Sequence, residues 1–180
     1  MPIVFDTNAL VRPAFSADDF TATKWSTAAE KADFAGKLCK FIAADFKESL
    51  FTKTLYRRLS LSFGHIAHCD SFGFFEYFFR DLRGKVAFLE ETLLWRVCGD
   101  PTYTFCDAER AVQARLTGCN LLAAYRALRA VEVEGAEREL LRRLRAKYDG
   151  STDAVEPPLI HAGRPPRQTR PEPAEQQSLF

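Results

Sequence analysis

The chain has 180 residues, of which 47% are apolar and 27% charged, and its formal net charge is +1. These are globular values with length enough for one domain and a substantial core, and near-neutrality excludes wholesale attraction to nucleic acid or to an anionic membrane surface. No apolar run approaches the ~20 residues of a spanning helix, and the five cysteines, scattered through apolar patterns and preceded by no leader, predict reduced thiols in a cytosolic protein outside the membrane.

Residues 2–5, Pro-Ile-Val-Phe, form a short β-prone run followed by the turn residues Asp6, Thr7 and Asn8. Residues 1–22 therefore read as an N-terminal arm. Thr27 with Glu30 three positions on has the form of a capping box, and Phe34, Leu38, Phe41 and Ile42 recur at helical spacing, which predicts a helix over residues 27–46. Trp25, two residues before the cap, has room to fold back on the first turn or to pack under the next helix. A second helix is predicted over residues 49–63, with Leu55, Leu59 and Phe63 on one face, before Gly64 weakens the pattern.

Six phenylalanines lie between residues 63 and 79. Asp70 or Ser71 can cap a third helix carrying Phe74, Phe75, Phe78, Phe79 and Leu82, an apolar arc too wide for a simple surface helix. This density means core or interface. Phe72, Phe74, Phe75, Phe78 and Phe79 are thus the candidate surface for a partner, where they are not core.

Gly84 is expected to separate that helix from another over residues 85–98, closed by Gly99, Asp100 and Pro101. Asp107 can cap a helix through Leu116, Gly118 ends it, and a long helix follows over residues 120–148, with Gly135 as its weak point. In that helix Glu134 with Arg138 and Glu139 with Arg143 have the favourable i, i+4 order. Six of the nine prolines fall after Gly150, where apolar residues thin out. Such a segment cannot repay its ordering entropy, so residues 150–180 read as a disordered tail. The fold class is mainly α: a compact multi-helix domain over residues 23–149 between arm and tail.

Several residue groups carry candidate chemistry. Lys53, Arg57 and Arg58 form one basic cluster, and Arg138, Arg142, Arg143, Arg145 and Lys147 form a second; together they can meet phosphates, but the glutamates interleaved in the long helix argue for a solvated face instead. His65, His68 and Cys69 place two imidazoles at i, i+3 beside a thiol. A structural zinc site needs four ligands and no second pair appears, with His161 far off in the tail, so no metal and no cofactor is expected. There is no phosphate-cradling glycine loop, nucleophile elbow or Cys-x-x-Cys pair, so no catalytic residue is assigned.

The last five residues, Gln176, Gln177, Ser178, Leu179 and Phe180, resemble the bacterial sliding-clamp-binding pentapeptide, whose usual form is Gln, Leu, Ser or Asp, Leu, Phe. Gln176, Ser178, Leu179 and Phe180 fit; Gln177 stands where leucine is commoner. The resemblance implies a sliding clamp as partner. Its physics is simple: a tethered Leu-Phe pair inserts into a preformed apolar pocket while the amide of Gln176 fixes register.

Near the other end, Ile-Val-Phe-Asp-Thr-Asn-Ala-Leu at residues 3–10 resembles the opening strand of PIN-domain ribonucleases. That resemblance implies Asp6 at a strand end binding a divalent metal, with Asn8 beside it. Glu48, Asp100 and Asp107 would have to converge with Asp6. The chain lacks the alternating strands and helices that would bring them to one sheet edge, and an Asp-Thr-Asn turn accounts for the same residues.

Finally, residues 23–79, carrying TKWSTAAEKADFA, LFTKTLYRRLS and FGHIAH, resemble uncharacterised small proteins of proteobacterial plasmids and integrative elements. This implies a mobile-element setting and no particular activity. The expectation is a non-enzymatic accessory or inhibitor of host DNA metabolism, tethered to the clamp by its tail, with the helical domain contacting a second protein or DNA. The alternatives are the PIN-like metal nuclease using Asp6 and an inhibitor of a host defence complex by protein–protein contact.

Overall fold

A computed structural model describes residues 7–65 and 70–149. Among them are seven α-helices, two short 3-10 turns and no strand: α1 (Thr7–Val11), α2 (Ala28–Ala43), α3 (Lys53–Leu59), α4 (Ser71–Phe79), α5 (Leu82–Leu94), α6 (Cys106–Gly118) and α7 (Leu121–Asp149). By its internal contacts the chain divides into two units, Met1–Glu139 and Leu140–Phe180. Of the second, residues 140–149 are described, the last turns of α7.

The first unit is built around α2, which packs against α1, α3 and α6. It starts where the sequence says: the Thr27 hydroxyl accepts from the Glu30 N–H, and Glu30 Oε2 accepts from the Thr27 N–H at 2.7 Å, a reciprocal cap. It ends earlier than predicted because Asp45 and Phe46 turn left-handed, with φ of 55° and 59°. That reversal drives the Phe46 ring into the core, stacked on Phe79 at 5.0 Å and edge-on to Phe88 at 5.8 Å. Asp45 is held in place by Lys85, whose ammonium lies 2.8 Å from its carboxylate, and by the Tyr125 hydroxyl, which donates to it at 2.6 Å.

The predicted helix over residues 49–63 is cut in two. A 3-10 turn covers Glu48–Leu50, and Thr52 then caps α3 by accepting from the Leu55 N–H, leaving Phe51 to enter the aromatic cluster against Phe79. Beyond Leu59 the Ser60 and Ser62 hydroxyls bond back to the carbonyls of Arg57 and Arg58, which favours a turn over further helix. Asp70 caps α4 as expected, accepting from the Gly73 N–H at 2.8 Å.

Gly84 does not separate two helices. Asp81 is the cap of α5, accepting from the Gly84 N–H at 2.7 Å, and Gly84 lies in the first turn, where α5 meets the end of α4. A Cβ there would sit 2.6 Å from the Tyr77 carbonyl oxygen. α5 also stops short of Cys98, because Gln113 of α6 donates its amide to the carbonyls of Thr92 and Trp95. Nor does Asp107 cap α6: its carboxylate accepts from the Thr21 N–H and the Lys31 ammonium.

The expected N-terminal arm is not separate. Its residues 2–5 lie outside the described residues, but Leu10 of α1 and Phe20 are buried in the core. Arg115 of α6 holds residues 10–15 there, donating to the carbonyls of Leu10 and Pro13 with its guanidinium over the Phe15 ring. The expected tail, residues 150–180, lies outside the described residues.

Candidate functional site

Three exposed aromatic side chains, Trp25, Trp95 and Tyr103, belong to or flank one irregular loop, residues 95–105 between α5 and α6, whereas Phe72 and Tyr77 are exposed on α4. That loop is rigid for identifiable reasons. Asp100 accepts from the Thr102 N–H at 2.8 Å and its hydroxyl at 2.7 Å, and these bonds pull the Asp100 carboxyl below its usual range. The Thr104 N–H and hydroxyl both donate to the Asp100 carbonyl. From beneath, the fully buried Lys31 donates to the Pro101 carbonyl at 2.7 Å and pairs with Asp107 at 2.8 Å. From the side, the Lys24 N–H donates to the Thr102 carbonyl, which brings Trp25 edge-on to Tyr103 at 6.2 Å.

Held this way, the loop presents large apolar groups to solvent: Trp25 is 72% exposed, Tyr103 60%, Trp95 41%, and Leu61, across the groove, 79%. The groove between Leu61, Trp95, Tyr103 and Phe105 has a volume of about 330 Å³. Arg58, in the last turn of α3, lies along it with its guanidinium 3.7 Å from the centre of the Phe105 ring. Burial lowers the Arg58 pKa, with Glu30 opposing the shift. Stacking uses the face of a guanidinium and leaves its edge donors for a carboxylate or phosphate.

Glu109 of α6 closes the floor. It is buried, and its carboxylate accepts from the Phe63 N–H at 3.2 Å. Desolvation raises its pKa, and the bonds from Phe63 and the Trp95 side chain only partly offset this. The same bond anchors a left-handed pair, Phe63 and Gly64, at φ of 54° and 72°. Trp95 lies over Gly64 so closely that a Cβ would sit 2.6 Å from its ring, which makes glycine a requirement of the groove wall. Chemically, this is a preformed π-rich surface around a partly desolvated cation. It suits binding of a group with an apolar or planar body and an anionic edge.

The residues singled out in the sequence distribute unevenly. Phe74, Phe78 and Phe79 are 1–3% exposed and form the core, so they are no partner surface; α4 turns them inward onto Phe41, Phe88 and the His65 ring. Phe75 is half-buried against Phe51, and Phe72 is exposed. Arg57 points to solvent while its neighbour Arg58 enters the groove. Arg138 pairs with Glu134, and Arg142, Arg143 and Arg145 are exposed on α7.

His65 is buried, stacked on Phe88 at 4.8 Å, with Nε2 3.2 Å from the Thr92 hydroxyl and Nδ1 3.2 Å from Glu91. His68, Cys69 and His161 lie outside the described residues, among which no group of three or more His, Cys, Asp or Glu side chains is placed to hold a metal ion. Asp6 and the peptide Gln176, Ser178, Leu179 and Phe180 also lie outside them. The strand and sheet that a PIN-like site needs are absent from the described residues, where α1 follows Asp6 directly.

The sequence reading missed Trp25, Trp95, Tyr103 and Glu109. An aromatic set among Asp100, Pro101, Thr102 and Thr104 was the available signal, since a turn offers little to bury Tyr103. No protein-family model, curated protein or solved structure matches the chain. Among the described residues no helix is long and apolar enough to cross a membrane.

Proposed function

We propose that this chain is a non-enzymatic binding protein of a mobile element that acts on host DNA metabolism, tethered to the bacterial sliding clamp through residues 176–180, while its helical body engages a second protein or DNA. The observation that carries the reading is the terminal sequence Gln176, Ser178, Leu179, Phe180. A pair of large apolar residues after a proline-rich polar stretch has no use in a core, and a good one as a tethered ligand. The aromatic groove with Arg58 supports the second contact, because exposed tryptophan, tyrosine and arginine are the side chains that dominate binding energy at interfaces.

The test is retention of the full chain and of a chain lacking residues 176–180 on immobilised sliding clamp. Retention of the full chain alone is expected. Equal retention of both, or of neither, overturns the tether.

A second reading is an inhibitor of a host complex that works by surface contact alone. The groove favours it, since every residue that forms it lies between Arg58 and Glu109 and none belongs to the tail. Full inhibition in cells by residues 1–150 would select this reading.

A further inference from the structure

The groove and its rim form a row in which rings lie beside cations. Arg58 rests on the Phe105 ring in the groove that Trp95 and Tyr103 line. Tyr103 meets Trp25 edge-on at 6.2 Å, and the Lys24 ammonium lies 5.9 Å from the centre of the Trp25 ring. Trp25 and Tyr103 keep most of their area in solvent, although the loop that carries Tyr103 is pinned from beneath by Lys31. Rings held in place beforehand lose little freedom when a ligand lands on them.

The acids of the same region are already engaged. Glu30 accepts from the Thr27 N–H at 2.7 Å, Asp100 from the Thr102 N–H and hydroxyl, and Glu109 from the Phe63 N–H. Among the described residues nothing accepts a hydrogen bond from the Arg58 guanidinium, so its edge donors are open to a ligand. Residues 23–31, 57–64 and 95–110, which build the region, carry six cations and four carboxylates, and Lys31 and Asp107 pair with each other. The balance is positive, and it favours an anionic partner although the whole chain is nearly neutral.

With the helical body read as a DNA contact, we infer that the groove and its rim bind single-stranded nucleic acid. Bases stack on Tyr103, Trp25 and Trp95, and Arg58 and Lys24 take phosphates. A duplex hides its base faces, whereas an unpaired strand offers both a planar face and a phosphate at every step. Proteins take peptides along a free strand edge, in a long apolar trough or, for proline-rich segments, between aromatic rings. Among the described residues there is no strand to extend, and Arg58 interrupts the apolar lining of the groove. A proline-rich segment suits the rings but leaves the guanidinium unmatched.

The chain's two tryptophans, Trp25 and Trp95, both belong to this site, so their fluorescence reads it directly. The probes are thymidine and uridine oligonucleotides of about 12 nucleotides, a length within the span of one binding site, added to the full chain at low salt. Saturable quenching by either is expected, the tighter of the two distinguishing DNA from RNA, with the same strand in a duplex bound at least about tenfold more weakly. Trp25→Ala and Tyr103→Ala, both at exposed side chains, are each expected to weaken binding at least about fivefold. Arg58→Gln is expected to flatten the log-log salt dependence by about 0.7, the signature of one lost phosphate contact rather than of a disturbed groove.

No quenching by either oligonucleotide, equal binding of the duplex, or variants that bind as the wild type does overturns the inference. Quenching by a glutamate-rich or proline-rich peptide alone assigns the groove to a protein partner and overturns it too. A chain lacking residues 176–180 is expected to bind the oligonucleotides undiminished, so the clamp tether and the strand-binding groove fail separately; loss of binding there moves the contact to the terminus and overturns the groove.

Discussion

Lys31 carries its ammonium into a site with no solvent exposure, where the Pro101 carbonyl and the Asp107 carboxylate, with the Phe105 ring 5.5 Å away, compensate for the lost water. Removing one partner of such a pair is far more costly than removing both, because the remaining charge is left buried and unmatched. Lys31→Met is expected to destabilise the fold by about 3 kcal/mol, with partial recovery on adding Asp107→Asn, which keeps an acceptor for the Thr21 N–H. Urea unfolding of the single and double variants measures both effects.

Glu109 behaves differently, because burial raises its pKa in the folded state. Its folded pKa lies above its unfolded one, so its contribution to stability is full below the unfolded value of about 4.3 and is lost as pH rises through the folded pKa. Glu109→Gln is therefore expected to unfold at higher urea than the wild type at pH 7, with the difference shrinking as pH falls towards 4. A difference that grows on acidification would contradict the assigned cause.

At the scale of elements, helix beginnings were the most legible part of the sequence. Thr27 with Glu30 and Asp70 before Ser71 act as caps in the structure, since each depends only on a side chain and the next three residues. Phenylalanine spacing in α4 signalled burial but not which rings go inward, as that depends on where α2 and α5 lie. The failures have a common origin in distant partners. Asp107 looks like a cap until Lys31, 76 residues away in sequence, claims it. Gly84 looks like a break until the α4 backbone is seen against it. Gly84→Ala is accordingly expected to destabilise by about 3 kcal/mol, well beyond an ordinary helix substitution, because the obstructing atoms are backbone carbonyls that cannot rotate away. A thermal melt unchanged from wild type would show that α4 and α5 can part at no cost.

For the whole molecule, the mainly helical class was readable from periodicity alone, whereas the groove was not. It joins the end of α3, the loop before α6 and α6 itself, and no local pattern relates Arg58 to Phe105 or Trp95 to Gly64. The proposed binding function uses two kinds of contact: a surface that folding assembles, and a terminal peptide that sequence alone specifies. The measurement that tests the central claim most directly is calorimetric titration of purified bacterial sliding clamp with the full chain and with its Leu179→Ala, Phe180→Ala variant at moderate salt. Micromolar binding by the full chain that disappears in the variant is the predicted result. Binding by neither, or equally by both, would contradict the tether and leave the aromatic groove to account for the protein's partners.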